Sequence, residues 1–292
     1  TPVIADGHVI ALGAQGILTC LTMDGKKVWS RSLAAEYRTP LGYFGIATSP
    51  VVERGLILVN VGGPNAGIVA FDVQTGKEKW KATSDPGSYS SPVVTTVDGA
   101  RRALFFTRTG AVMLDPTDGK VLFQRRWRAR IDASVNAATP LVVGDQAFFS
   151  ASYDTGALLL RLRKDGAEEV WTDEQVMSNH YNTCIHHEGH LYGFDGRQET
   201  GPSFRCVELK TRKVRWDRER FGNGSMILAE GKLIVLTEKG DLCLVQATPE
   251  AFRELARFRL LEAGPCRAQT ALANGRLFAR DQERLVCVDL RK

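Results

Sequence analysis

A strand–turn–strand stretch returns along this chain, and its return constrains the fold more than any other feature. The clearest copy runs from Gly67 to Trp80, Gly-Ile-Val-Ala-Phe-Asp-Val-Gln-Thr-Gly-Lys-Glu-Lys-Trp. Ile68 to Phe71 is an apolar run too short for a helix of its own. Asp72 can fold its carboxylate onto backbone N–H groups, and Gly76 can take a positive φ that a side chain would resist. Trp80 then offers a large apolar plate to whatever packs beside it. Further copies lie at Ile17–Trp29, Gly110–Phe123, Gly156–Trp171 and Cys206–Trp216. A worn copy spans Gly240–Phe258 with an insertion around Pro249, and a last one, Leu285–Leu290, stops before its closing strand.

Upstream of each copy sits a second unit, an apolar strand, a hairpin glycine and another apolar strand, as in Val3 to Ile10. Its glycines fall at 7, 55, 99, 144, 189, 231 and 275, at intervals of 42 to 48 residues. Seven copies at such a period predict a repeat array, and four strands per unit predict an all-β propeller of four-stranded antiparallel blades. One blade has two apolar faces and cannot stand alone; stacked neighbours bury both and leave only short edges.

The run Ala70-Phe71-Asp72-x-x-Thr75-Gly76-Lys77-x-x-Trp80 resembles the repeat of the pyrroloquinoline-quinone-type propellers. That family includes quinoprotein alcohol dehydrogenases, the lipoprotein of the outer-membrane barrel assembly machinery and many exported bacterial proteins. The resemblance covers the whole chain and implies the fold, an exported or periplasmic location, and ligands at the centre of one loop face. It says little about function, because the repeat is a packing device separate from the quinone site.

The unbroken period predicts one domain over residues 1–292, with blades at about 1–33, 48–83, 89–124, 137–172, 181–217, 224–260 and 268–290. The seventh shows three strands. In the family the missing strand usually comes from the amino end and relatives commonly have eight blades. Because this chain starts at Thr1 on an innermost strand, two readings stand: the ring closes with seven blades, the last incomplete, or residues upstream of Thr1 were lost, which the eight blades of relatives favour; seven visible blades is the count expected. No apolar run approaches ~18 residues, so no membrane span is predicted, and no signal peptide is visible. A net charge of +5 leaves acidic partners unrepelled. Cys20, Cys206, Cys243 and Cys287 share one phase in four third strands, which predicts small buried residues and not disulfide partners.

In a propeller the connections between blades share a face with the turns between second and third strands. The candidate ligand-binding rim is therefore Arg38, Tyr43, Arg128, Arg130, Asp132, Asn136, His180, Tyr181, Asn182, Asn223, Ser225 and Arg267. Arginine forks suit carboxylates, on an acidic peptide or a small acidic ligand; the bland alternative is a wet funnel with charged loops. Arg125 to Arg130 is the densest basic run. It reads as a solvated loop whose Trp127 packs on its neighbour in preference to a nucleic-acid grip. His180, His186, His187 and His190 crowd one segment, but strand geometry separates them, so no metal site is expected.

No nucleophile–base signature and no adjacent cysteine pair occur. The sequence therefore reads as a non-catalytic, monomeric binding or scaffolding module with a protein or peptide partner. The alternative is a quinoprotein oxidoreductase using pyrroloquinoline quinone with calcium, for which the resemblance offers Arg38, Arg128, Arg130 and Asn136.

Overall fold

The computed structural model describes residues 1–131 and 136–291. They gather into two compact units, Thr1–Thr172 and Asp173–Lys292. The first unit holds four antiparallel sheets. These are β1 (Val3–Ala5), β2 (His8–Leu12), β3 (Ile17–Thr22) and β4 (Lys27–Ser32); then, after a single-turn helix α1 (Leu33–Glu36), β5 (Val51–Glu53), β6 (Leu56–Gly63), β7 (Ala66–Asp72) and β8 (Glu78–Ala82). The third sheet is β9 (Val93–Val97), β10 (Ala100–Phe106), β11 (Gly110–Leu114) and β12 (Val121–Arg126), and the fourth is β13 (Leu141–Val143), β14 (Gln146–Ala151), β15 (Gly156–Arg163) and β16 (Gly166–Asp173).

The second unit holds β17 (Ile185–His187), β18 (His190–Asp195), β19 (Ser203–Glu208) and β20 (Val214–Arg218), then β21 (Gly224–Ala229), β22 (Lys232–Thr237), β23 (Asp241–Gln246) and β24 (Glu254–Arg259). Its last sheet has three strands, β25 (Ala271–Ala273), β26 (Arg276–Arg280) and β27 (Leu285–Asp289). In every sheet each strand pairs with the next in chain order. The sequence periods thus mark the strands and the incomplete last sheet; helix α1 was not foreseen.

Local chemistry accounts for the hairpins. Asp6-Gly7, Arg54-Gly55, Asp98-Gly99, Glu188-Gly189, Glu230-Gly231 and Asn274-Gly275 all carry two consecutive positive φ angles. That is the two-residue turn whose twist matches the flanking strands. In the third-to-fourth-strand turn Asp72 Oδ1 accepts from Thr75 N at 2.9 Å and Thr75 Oγ1 at 2.8 Å. Beside it the register slips by one, and the residue opposite the aromatic is small: Cys20 faces Trp29, Ala70 faces Trp80 and Cys206 faces Trp216.

The tryptophans join neighbouring sheets. Trp29 Nε1 donates to Val73 O at 2.9 Å, Trp80 Nε1 to Pro116 O at 3.1 Å and Trp216 Nε1 to Thr248 O at 2.8 Å. The turn glycine has a second reason to exist here, since a Cβ on Gly76 would lie 2.7 Å from Trp29 and one on Gly119 would lie 2.4 Å from Trp80. The cores lie between successive sheets. In the first unit Leu58, Ala70, Phe105 and Val112 fill one, and Phe106, Met113, Phe149 and Leu158 another. In the second unit Tyr192, Phe204, Trp216 and Val235 form the largest.

Cysteine placement needs one correction. Cys20, Cys206 and Cys243 are buried as expected, but Cys287 is exposed. It stands on β27, where no fourth strand covers the sheet edge among the described residues. All six thiols are free.

Candidate interaction face

In the first unit the connections 33–50 and 83–92 and the described parts of the next, 127–131 and 136–140, meet at one end with the β2–β3 and β10–β11 turns. Ile46 N donates to Ala14 O at 2.8 Å and Arg108 N to Pro86 O at 3.2 Å. Two residues stitch the connections together. The Tyr89 hydroxyl accepts from Phe44 N at 3.1 Å, while Tyr89 N and Ser90 N both donate to Asn136 O at 3.2 Å. Asn136 Nδ2 donates in turn to Thr107 O at 2.8 Å and Trp127 O at 3.0 Å. Thr48 Oγ1 and Ser90 Oγ add bonds to Ser90 O and Ala138 O.

A cavity of about 280 Å³ opens here, walled by Leu41, Ile46, Val61, Pro86 and Tyr89, with Arg108 at one side. Over it the loop turns apolar side chains outward: Leu41 is 53% exposed, Tyr43 94% and Phe44 59%. Tyr43 and Phe44 meet edge to face with centroids 4.9 Å apart, and Phe44 meets Tyr89 at 5.7 Å. An outward-facing apolar cluster of this kind makes the face a candidate for contact with a partner.

The expected rim residues distribute as follows. Tyr43 is at this face. Arg38 is exposed, with φ of 52°, and borders a separate open hollow of about 570 Å³ with Arg31, Glu36, Tyr37 and Glu78. Arg128 folds back onto its own loop, donating to Ala129 O at 3.2 Å and Ile131 O at 3.3 Å. Arg130 is exposed and Asn136 is buried. Asp132 lies outside the described residues. Within the basic run Arg125 pairs with Glu169 at 3.2 Å and Trp127 packs on the adjoining core, as the sequence implied.

Of the four positions offered to a quinone, Asn136 and Arg128 are turned into the loop scaffold. Asn136 already uses both amide hydrogens on backbone carbonyls inside the loop scaffold. Arg38 sits among carboxylates in its own hollow.

In the second unit the remaining candidates fall into separate hydrogen-bonded groups, apart from Ser225. His180 Nδ1 bonds Gln198, and the Tyr181 hydroxyl donates to Glu238. Arg267 Nε donates to the same carboxylate at 2.8 Å. Asn182 Nδ2 donates to Asn223 Oδ1 at 2.5 Å, which also accepts from Gly224 N at 3.0 Å. Burial first, and then the bond to Glu238, pushes the Tyr181 hydroxyl well above the usual phenol range. Ser225 is buried with its hydroxyl unbonded. His187 pairs with His190 across the β17–β18 hairpin. Among the described residues no group of three or more His, Cys, Asp or Glu is placed to hold a metal.

Tyr89, Arg108 and Glu238 were absent from the sequence-derived rim. Arg108 and Glu238 stand in second-to-third-strand turns, so their position in the repeat was the signal. Tyr89 carried none.

Comparison with known proteins bears on the family and the fold. The family described as outer membrane protein assembly factor BamB matches residues 1–218. A 77-residue segment is 32% identical to BamB of Burkholderia pseudomallei (strain K96243), covering 26% of this chain and only 17% of that protein's length. The crystal structure of BamB from Moraxella catarrhalis aligns with a TM-score of 0.71 at 16% identity, over 98% of this chain and 80% of its own. The computationally designed Ika8 protein aligns with a TM-score of 0.53 at 7% identity, over 95% and 91%. The seven sheets are the blades of a β-propeller.

Proposed function

This chain belongs to the outer membrane protein assembly factor BamB family, and on that premise we propose that it is an exported, non-catalytic scaffold that holds a protein partner in outer-membrane assembly. The observation that carries the reading is the outward-turned Leu41, Tyr43 and Phe44 above a cavity, on loops tied rigidly by Tyr89 and Asn136. Large apolar side chains on a stiff frame bind partners at low entropic cost, and a few of them carry most of the affinity. No helix among the described residues is long and apolar enough to cross a membrane.

The test is capture of the outer-membrane assembly machinery, detected through its barrel subunit, by the tagged protein in its own host. Tyr43→Asp and Leu41→Asp should each abolish capture without unfolding the chain. Lys77→Glu, in the β7–β8 turn, should leave it intact. Undiminished capture by both loop variants would overturn the reading. Pyrroloquinoline quinone added with calcium is expected to change neither absorbance nor melting temperature; a clear shift in either would favour the oxidoreductase alternative.

A further inference from the structure

We propose that the second unit carries a binding site for an indole-type ring, a planar aromatic with one ring N–H, where the β21–β24 sheet lacks the repeat's tryptophan. It does not depend on the docking role of the first unit's loops. Register locates the position. In three sheets the pairing of third and fourth strands slips just after the residue that faces the ring: after Cys20 opposite Trp29, after Ala70 opposite Trp80 and after Cys206 opposite Trp216. In the β21–β24 sheet the slip follows Leu244, and Leu244 faces Ala256. Ala256 thus stands where those three sheets carry tryptophan. Phe258, which ends this copy of the repeat, lies two residues farther along, opposite Leu242.

The facing wall follows the same repeat. Val73 N donates to Gly55 O at 2.9 Å, and Leu290 N to Gly275 O at 2.7 Å, so Leu290 takes in the last sheet the place that Val73 takes in the second. Val73 O is the carbonyl that accepts from Trp29 Nε1. Val73, in the core that Trp29 packs against, is 1% exposed; Leu290, with no tryptophan before it, is 45% exposed. Between the two positions opens a cavity of about 280 Å³, with walls that include Ile234, Leu242, Leu244, Ala256, Phe258 and Leu290. Leu244 is bulkier than the Cys or Ala at its place in the other three sheets, and it takes back only part of an indole's space.

The repeat also fixes what fits. An apolar cavity of ~150 Å³ takes up benzene, so this one has room for two fused rings. Its aliphatic walls reward burial of both ring faces, and the Phe258 ring offers an aromatic contact. Leu290 O is the acceptor for a ring N–H, by the precedent of Val73 O and Trp29. In the other sheets the ring enters from the fourth strand. Here β24 already fills that strand's place with Ala256, so no second polypeptide can bring a tryptophan in along the same path. The ligand is therefore a free small molecule.

The probe is fluoroindole, titrated against the whole chain by fluorine NMR and displaced with unlabelled indole. Saturable, displaceable binding is expected. Ala256→Trp supplies the ring from the strand, so it should weaken binding about tenfold or more and raise the melting temperature. Leu290→Asp, at an exposed side chain, sets a carboxylate against the ring and should weaken binding as much. Benzofuran has the same shape without the N–H and should compete severalfold less well than indole. No saturable binding, binding undiminished in Ala256→Trp or in Leu290→Asp, or equal competition by benzofuran would overturn the site. Should Ala256→Trp fail to fold, Leu290→Asp and the benzofuran comparison decide.

Discussion

Replacing Trp216 with alanine should destabilise the second unit more than almost any other single change. Only 9% of Trp216 is exposed. Its ring meets Phe204 at 5.4 Å and Phe252 at 5.5 Å, and its Nε1 donates to Thr248 O at 2.8 Å, which joins the β17–β20 sheet to the next. Truncating a buried Trp to Ala costs about 3–5 kcal/mol through lost burial and the cavity left behind. Stranding the Thr248 carbonyl adds on the order of 1 kcal/mol. Trp216→Phe keeps a ring in place and loses the donor, so about 1–2 kcal/mol is expected. Phe258, the aromatic that ends the worn copy in the sequence, stands opposite Leu242, two residues beyond the position that matches Trp216, and is 49% exposed, so Phe258→Ala should cost less than about 1 kcal/mol. Urea unfolding followed by far-UV circular dichroism reads all three, since the signal does not depend on the indole. A Trp216→Ala cost below about 1 kcal/mol, or equal to that of Phe258→Ala, would refute the claim that the repeat aromatics bind sheet to sheet.

Other outcomes follow from individual sites. Arg102 is 5% exposed and donates to Asp115 at 2.9 Å, Lys164 O at 2.7 Å and Arg101 O at 2.6 Å; Arg102→Ala should cost about 3–5 kcal/mol in the same unfolding assay, because Asp115 and two carbonyls lose this donor. Cys287 alone should react with a thiol reagent in the native state, whereas burial pushes Cys184 and Cys243 up to about 12 and Cys206 to about 11, keeping them inert until unfolding. Glu53 is held below the usual glutamate range by its hydrogen bonds to Arg101. Its folded pKa is depressed, so its contribution is present above about pH 4.3 and disappears as pH falls through the folded value; Glu53→Gln should flatten that part of the acid limb of stability against pH. His186 is kept below its ordinary value by burial and then by His187 and His190, and its Nε2 accepts from Gly189 N at 3.1 Å. Acidification below about pH 6.5 and through that lowered value should therefore reduce the protection of the Gly189 amide against hydrogen exchange, measured relative to the intrinsic rate at each pH.

What the sequence made legible was periodicity. Hairpin glycines and closing aromatics mark the strands because turn chemistry and sheet stacking both act on residues near in sequence. The second constraint on Gly76 and Gly119, a tryptophan from the preceding blade lying on the turn, was invisible because it joins residues 47 and 39 apart. Cys287 shows the same limit from the other side. Its phase matched Cys20, but burial of a third strand depends on a fourth, and β27 has none among the described residues. At the candidate face, Tyr43 could be found from its place in a long aromatic connection. Asn136 looked like a ligand residue for the same reason, yet its amide ties Thr107 to Trp127. Whether a polar loop side chain faces inward or outward is decided by which carbonyls tertiary packing leaves unsatisfied.

The most direct test of the account is site-specific photo-crosslinking in the native host, with a photoreactive amino acid at position 43 and, separately, at position 77. Adducts between position 43 and a component of the outer-membrane assembly machinery, absent at position 77, are the predicted result. Adducts at position 77 alone, or at neither position, would contradict the assignment of the first unit's aromatic loop face as the docking surface.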